Sequence, residues 1–150
     1  MKHIRRALIG IHLFVGIGGM FGGLAAIMDP FSPLGAPTSA LKNAPFSDFL
    51  IPGILLFTVI GMGNVASAAM FPFRWKYQGY LSSVFSWALV VWIAVQCVML
   101  QAIAPLHVVF FAIGLISAGL AMALLFEQRL FPANLALALL ARFNGKEKSA

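Results

Sequence analysis

Four long apolar stretches dominate the pattern of this 150-residue chain. They run over residues 7–28, 51–71, 80–101 and 108–126, and few polar side chains interrupt them. About 20 apolar residues in a helix cross the hydrocarbon core of a bilayer. None of the stretches shows the strict alternation of a strand in a membrane barrel. The pattern therefore predicts an all-α fold, a four-helix transmembrane bundle.

The polar interval over residues 29–48 is the longest and contains four prolines. Proline restricts the backbone and lacks an amide proton, so this interval is expected to follow an extended, pinned path rather than a helix. It is either a plain connector or a lid over the bundle. Ser47 or Asp48 is placed to cap the second helix, and Pro52 then falls within its first turn.

The basic residues are distributed unevenly across the predicted bundle. Nine of the ten share one side, and only Lys42 lies on the other. The nine are Lys2, Arg5, Arg6, Arg74, Lys76, Arg129, Arg142, Lys146 and Lys148. Because short loops rich in Lys and Arg stay cytoplasmic during insertion, both termini are expected in the cytoplasm. The net charge of +6 fits this anchoring and attraction to anionic lipids. The basic residues are divided among three segments, which argues against a nucleic-acid partner.

The C-terminal segment is expected to lie outside the bundle. Residues 1–131 form the predicted bundle, and residues 132–150 form an interfacial helix and a cytoplasmic tail. Pro132 ends the fourth helix, and the apolar segment over 135–143 is too short to span the membrane. The chain has one cysteine, Cys97, so no internal disulfide can form.

Small residues in the first helix predict where it packs most closely. Gly16, Gly19 and Gly23 recur at spacings of three and four, as in helices that associate closely in lipid. His12 lies on the same face, so its ring is expected to point at protein. Asn64 lies at a similar depth, roughly 7–11 Å from the basic side at 1.5 Å per residue. We therefore predict that these faces meet and that His12 and Asn64 hydrogen-bond.

A polar layer is predicted around this pair. Its further candidates are Ser67, Ser83 or Ser86, and Ser117. Such groups can hold helices together, or they can handle protons or bind a ligand, since an ionisable side chain inside a membrane is a functional candidate. Haem ligation by His12 would need a second axial ligand at the same depth, and His107 lies at the opposite face.

A second group of polar residues lies at that opposite face. Trp92, with Gln96 on its face, falls near mid-membrane, where it either lines an internal cavity or packs between helices. Asp29, Asp48 and His107 lie near water, and capping and solvation account for them better than a metal site does. The chain has no catalytic constellation of side chains at a common depth. We expect no metal, no cofactor and no enzyme activity.

Two segments carry a resemblance to other proteins. The sequences DPFSPLG (29–35) and PFSDFLIPG (45–53) resemble segments of uncharacterised small four-helix bacterial membrane proteins. The resemblance covers the first two spans and the interval between them. It implies a bacterial cytoplasmic membrane and no particular activity. In architecture alone, the chain is also similar to the DoxX-like group.

These observations predict an integral membrane binding or accessory protein. It would hold a lipid, a quinone-like apolar ligand or partner helices within the bundle. The alternative is a small oligomeric transporter or channel unit that uses His12 and Asn64. Expected partners are membrane lipids, further copies of the chain, or a partner membrane protein.

Overall fold

The computed structural model describes residues 2–131, 134–135 and 137–138. Its long helices are α1 (Lys2–Met28), α2 (Leu50–Phe73), α3 (Gln78–Leu100) and α4 (Pro105–Glu127). Each is long and apolar enough to cross a membrane. The all-helical architecture with four such helices is therefore confirmed. The predicted interfacial helix over 135–143 and the tail after it lie mostly outside the described residues.

Successive helices run antiparallel. Along α1 and α2, Gly16 lies opposite Val65 while Gly23 lies opposite Phe57, so residue numbers rise on one helix as they fall on the other. This arrangement gathers six basic residues at one end of the bundle, which we call the basic end. They are Lys2, Arg5, Arg6, Arg74, Lys76 and Arg129. The connection over 29–49 lies at the other end, which we call the proline-loop end.

Glycines bring the backbones of α1 and α2 into direct contact. A Cβ atom built on Gly19 would lie 2.9 Å from the amide nitrogen of Gly61, and one on Gly23 would lie 2.5 Å from that of Phe57. Neither backbone could yield without separating the helices. The glycine spacing in the sequence thus identified the α1 face that packs most tightly.

The winding of α2 changes along its length. It is α-helical over Leu50–Leu55, π-helical over Leu56–Met62, α-helical again over Gly63–Met70, and ends in a 3₁₀ turn at Phe71–Phe73. The π segment was not predicted from the sequence. Such segments are short insertions in a helix and are frequent at functional sites. This one packs along α1.

The connection between α1 and α2 is more structured than predicted. It contains 3₁₀ turns at Pro33–Gly35 and Thr38–Leu41, so the expectation of an extended path rather than a helix was wrong for these residues. The second turn contacts α3, and its Leu41 side chain is buried. Local 3₁₀ turns are compatible with proline because they need few backbone donors. Pro52 lies in the first turn of α2, as predicted.

Candidate functional site

A buried hydrogen bond between α1 and α2 joins His12 to Asn64, as the sequence predicted. The His12 Nδ1 atom lies 2.7 Å from the Asn64 Oδ1 atom. The amide nitrogen of Asn64 donates to the Ile60 carbonyl at 2.8 Å. Since the Asn64 oxygen can only accept, the proton of a neutral His12 ring is placed on Nδ1. The Nε2 atom keeps a lone pair and is buried without a hydrogen-bond partner in the described chain.

Hydroxyl groups and one amide link α2, α3 and α4 at nearby depth. Gln78 donates through Nε2 to the Ser67 carbonyl at 3.0 Å and to the Ser82 hydroxyl at 3.3 Å. Ser86 donates to the Ser82 carbonyl at 2.7 Å, and its hydroxyl lies 2.7 Å from that of Ser117. These five side chains are buried. With His12 and Asn64 they form the inner polar layer.

Two members of this layer, Gln78 and Ser82, were not predicted from the sequence. Gln78 was assigned to the loop before the third span, whereas α3 begins at that residue. The signal was present, because Gln78, Ser82 and Ser86 are spaced four apart and share one helix face. Ser83, the alternative to Ser86, is half-buried.

The inner polar layer is part of the packed bundle near the basic end. None of its residues lines either of the two cavities described below. Hydrogen bonds of this kind between membrane helices are worth about 0.6 kcal/mol on average and rarely more than about 2 kcal/mol. The layer therefore links all four helices through buried hydrogen bonds.

A cavity of ≈ 180 Å³ opens between all four helices toward the proline-loop end. Its lining residues are Val15, Gly18, Gly19, Gly22, Leu56, Ile60, Leu89, Trp92, Ile93, Gln96, Leu106, His107 and Phe110. We call it the main cavity. Trp92 and Gln96 both line this cavity. The sequence had left open whether Trp92 lines a cavity or packs between helices, and the structure shows the first. The π segment contributes Leu56 and Ile60, so the change in winding helps to shape this wall.

Three polar side chains border the main cavity, those of Trp92, Gln96 and His107. The Nδ1 atom of His107 accepts a hydrogen bond from the Ala104 amide at 3.0 Å, which leaves the ring proton on Nε2. The indole N–H of Trp92 is buried and has no partner among the described atoms. Gln96 adds a half-buried amide. Among the residues that the structure describes, no Lys, Arg, Asp or Glu lines the main cavity.

A second cavity of ≈ 240 Å³ lies beside the first and is lined by apolar surface. The residues around it are Ile93, Ala94, Cys97, Ile103, His107, Val108 and Phe111. Ile93 and His107 border both cavities. The helical surface at the proline-loop end of α3 and α4 is thus less closely packed than the inner polar layer.

The three outer residues singled out in the sequence have separate local roles. Asp29 accepts a hydrogen bond from the Ser32 amide at 3.1 Å, and Asp48 accepts one from the Leu50 amide at 2.9 Å. His107 ties together the first turn of α4. The part of the chain that the structure describes contains no group of three or more His, Cys, Asp or Glu side chains placed to hold a metal ion.

Comparison with known proteins gave no match to any family model, curated protein or solved structure. The resemblance suggested by residues 29–35 and 45–53 therefore remains a prediction.

Proposed function

We propose that this chain is a multi-pass protein of the bacterial cytoplasmic membrane, with both termini in the cytoplasm. Four apolar helices of 23 to 27 residues support insertion. The basic end supports the orientation, because Lys and Arg near the ends of spans are retained on the cytoplasmic side. The proline-loop end, with the main cavity, would then face the outer leaflet.

The function we propose is binding of an apolar ligand, such as a lipid or a quinone-like molecule, in the main cavity. The observation that carries this proposal is the cavity itself, which all four helices border and which is mostly apolar. An apolar protein cavity of about 150 Å³ is large enough to hold a benzene ring. The main cavity can therefore hold a small ring or part of a chain, with the remainder in the bilayer.

The depth of the lining residues fits an amphiphilic ligand. Gln96 lies four residues before the end of α3 at Leu100, about 6 Å along the helix axis, whereas Leu89 lies about 16 Å from that end. Gln96 and His107 thus lie near the proline-loop end of the bundle, and the deeper lining at Leu89 is apolar. A molecule with a polar head and an apolar body would match this order.

The transport alternative has less support. It would use His12 and Asn64 to line a path, yet these side chains are bonded to each other, are 0% and 2% exposed, and border neither cavity. Ion flux through vesicles of purified protein that His12→Ala abolishes would favour this alternative over ligand binding.

The experiment fills the main cavity without disturbing the helix contacts. A Cβ atom on Gly18 would meet only the Phe110 ring, at 3.9 Å, so Gly18→Leu should project into the cavity. Gly119→Leu is the matched control, because a Cβ atom there meets nothing within 4 Å. Each variant is purified in mild detergent, and bound lipids and isoprenoids are extracted and quantified by mass spectrometry.

The expected result is about one apolar molecule per chain in the unmodified protein and in Gly119→Leu, and a loss of most of it in Gly18→Leu. Equal ligand content in both variants would contradict binding in the main cavity. So would an unmodified protein that carries no more lipid after extensive washing than an unrelated four-helix membrane protein.

A further inference from the structure

We infer that one corner of the basic end binds the headgroup of an anionic phospholipid. Three exposed cations form this corner: Arg74 and Lys76 in the connection between α2 and α3, and Arg129 just after α4. We call it the basic corner. It lies at the other end of the bundle from the main cavity, so the inference goes beyond the proposed ligand binding and rests only on insertion of the helices in a membrane.

Two hydrogen bonds bring the end of α4 against the start of α3. The Gly79 amide donates to the Gln128 Oε1 atom at 3.2 Å, and the Tyr80 hydroxyl donates to the Phe131 carbonyl at 2.6 Å. Arg129 lies in the chain between the two residues that are bonded in this way. The connection that carries the other two cations leads directly into this first turn of α3. Cations from two separate parts of the sequence are thus held in one region.

Aromatic rings order the short connection between α2 and α3. The Trp75 ring lies edge-on to Tyr77, with ring centroids 5.5 Å apart, and the Tyr77 and Tyr80 centroids are 6.3 Å apart. The Lys76 ammonium group lies 4.7 Å from the centre of the Tyr77 ring. Trp and Tyr favour the interface between membrane and water, where cations reach the phosphate groups of lipids. The rings therefore place the basic corner at headgroup depth.

The balance of charge at this end favours an anion. The six basic residues described there are accompanied by one described carboxylate, Glu127, while Asp29 and Asp48 lie at the proline-loop end. Each Lys or Arg near the membrane surface strengthens the binding of anionic lipid roughly fivefold. A zwitterionic headgroup carries its own cation and would gain less. The charge of the corner therefore selects a lipid with a net negative headgroup.

Exposed apolar rings beside the cations favour a lipid over a free phosphate ion. Phe73 directly precedes Arg74, Phe131 follows Arg129 by two residues, and both rings are exposed. Such rings can contact acyl chains while the neighbouring cations contact the phosphate. A free phosphate ion would use only the cations.

The backbone at the two arginines sets them apart from cations that serve orientation alone. Arg74 and Arg129 both have left-handed backbone conformations, with φ of 48° and 50°. Non-glycine residues seldom adopt this conformation, and glycine is the usual residue where a helix ends in this way. Retention in the cytoplasm requires only that cations lie near the span. An arginine at each of these two positions is consistent with a local binding role.

The test measures contact between Trp75 and anionic lipid. In the reporter protein, Trp87→Phe and Trp92→Phe leave Trp75, which is 42% exposed. In the control, Trp75→Phe and Trp92→Phe leave Trp87, which is 49% exposed on α3. Each is reconstituted in phosphatidylcholine vesicles that contain a minor fraction of brominated phosphatidylglycerol or, in a parallel sample, brominated phosphatidylcholine. Bromine quenches a tryptophan in contact with it. The salt concentration is about 0.15 M, so that charges beyond roughly 8 Å are largely screened.

We expect phosphatidylglycerol to associate at Trp75 at least about fivefold more strongly than phosphatidylcholine, the contribution of one cation or more. The two lipids should quench Trp87 equally. Equal quenching of Trp75 by the two lipids would overturn the inference.

Charge variants locate the site. In the Trp75 reporter, the combined changes Arg74→Gln, Lys76→Gln and Arg129→Gln should remove the preference for phosphatidylglycerol. The matched control neutralises the same number of cations at the same end, on α1, through Lys2→Gln, Arg5→Gln and Arg6→Gln, and it should keep most of the preference. Arg74→Lys combined with Arg129→Lys keeps the charges and should bind like the unmodified reporter, which separates loss of charge from loss of structure.

Two outcomes of the variants would overturn the inference. An equal loss of preference in both triple variants would indicate general attraction to the whole basic end, and an unchanged preference after neutralisation of the basic corner would place the lipid elsewhere. Neither result bears on the main cavity, because its ligand content is measured separately with Gly18→Leu.

Discussion

At the scale of single residues, two of the three histidines in the helices, His12 and His107, accept opposite hydrogen-bonding roles at Nδ1. Asn64 is fixed by its bond to the Ile60 carbonyl and therefore presents an acceptor to His12. A backbone amide presents a donor to His107. Each neutral ring then has only one arrangement that satisfies its neighbour. Neither arrangement can be inferred from the sequence, because it depends on which neighbour the fold supplies.

This contrast predicts two different tautomers in one protein. His12 should carry its proton on Nδ1 and His107 on Nε2 when both rings are neutral. Nitrogen-15 NMR of histidine-labelled protein in lipid at pH 8 measures this directly, with His12→Gln and His107→Gln used for assignment. The two residues act as controls for each other. Identical tautomers at both positions would contradict one of the two hydrogen bonds.

Removal of the Asn64 side chain should destabilise the bundle. Asn64→Ala leaves both nitrogens of the buried His12 ring without a partner, and we expect a cost of about 1–2 kcal/mol in the free energy of unfolding. Unfolding in mixed micelles with increasing dodecyl sulfate measures it. Ser83→Ala is the control: it removes a half-buried hydroxyl, and it should cost less than about 0.5 kcal/mol.

A double-mutant cycle tests whether the two side chains are coupled. If their bond matters, Asn64→Ala should cost clearly less when His12 is already alanine, by about 0.6–1.7 kcal/mol. Equal costs in both backgrounds would mean that the predicted hydrogen bond contributes nothing measurable to stability.

At the scale of helices, backbone contact between α1 and α2 is the tightest feature of the bundle. The added methyl group of Gly23→Ala would lie 2.5 Å from the Phe57 amide, so the helices must separate. We expect a loss of about 1–3 kcal/mol, as in other overpacked sites. Gly10→Ala adds the same methyl group where nothing lies within 4 Å, and it should be neutral or slightly stabilising. Thermal unfolding of both variants in the same detergent would distinguish them. Equal melting temperatures would contradict the close contact.

The helices also show how far sequence reasoning extends. The span boundaries followed from hydropathy, and the close α1 face followed from glycine spacing, because both are repeated local patterns. The π segment over Leu56–Met62 left no such pattern. Apolar residues are compatible with either winding, and the π segment packs along α1 through contacts that the sequence does not reveal. Gln78 was misassigned because a polar residue beside a basic loop looks like part of it.

At the scale of the molecule, the bundle divides into a closed half and an open half. Near the basic end, the inner polar layer joins all four helices through buried side-chain hydrogen bonds. Toward the proline-loop end, the helices leave two cavities beside Trp92 and Cys97. The sequence placed polar groups at both depths but could not show that one set bonds internally. That difference arises from contacts between helices, and it is why the open half carries the proposed binding function.

We predict that the bundle lies in the membrane with its basic end in the cytoplasm. In a Cys97→Ala background, Asn43→Cys places an exposed thiol at the proline-loop end, and Phe73→Cys places one at the basic end without altering any charge. A membrane-impermeant maleimide applied to intact cells should label residue 43 and spare residue 73, because the basic end is retained in the cytoplasm. After permeabilisation, both positions should react, which controls for accessibility. Labelling of residue 73 in intact cells would invert the orientation and place the main cavity in the cytoplasmic leaflet, where the ligand would have to be supplied from the cell interior.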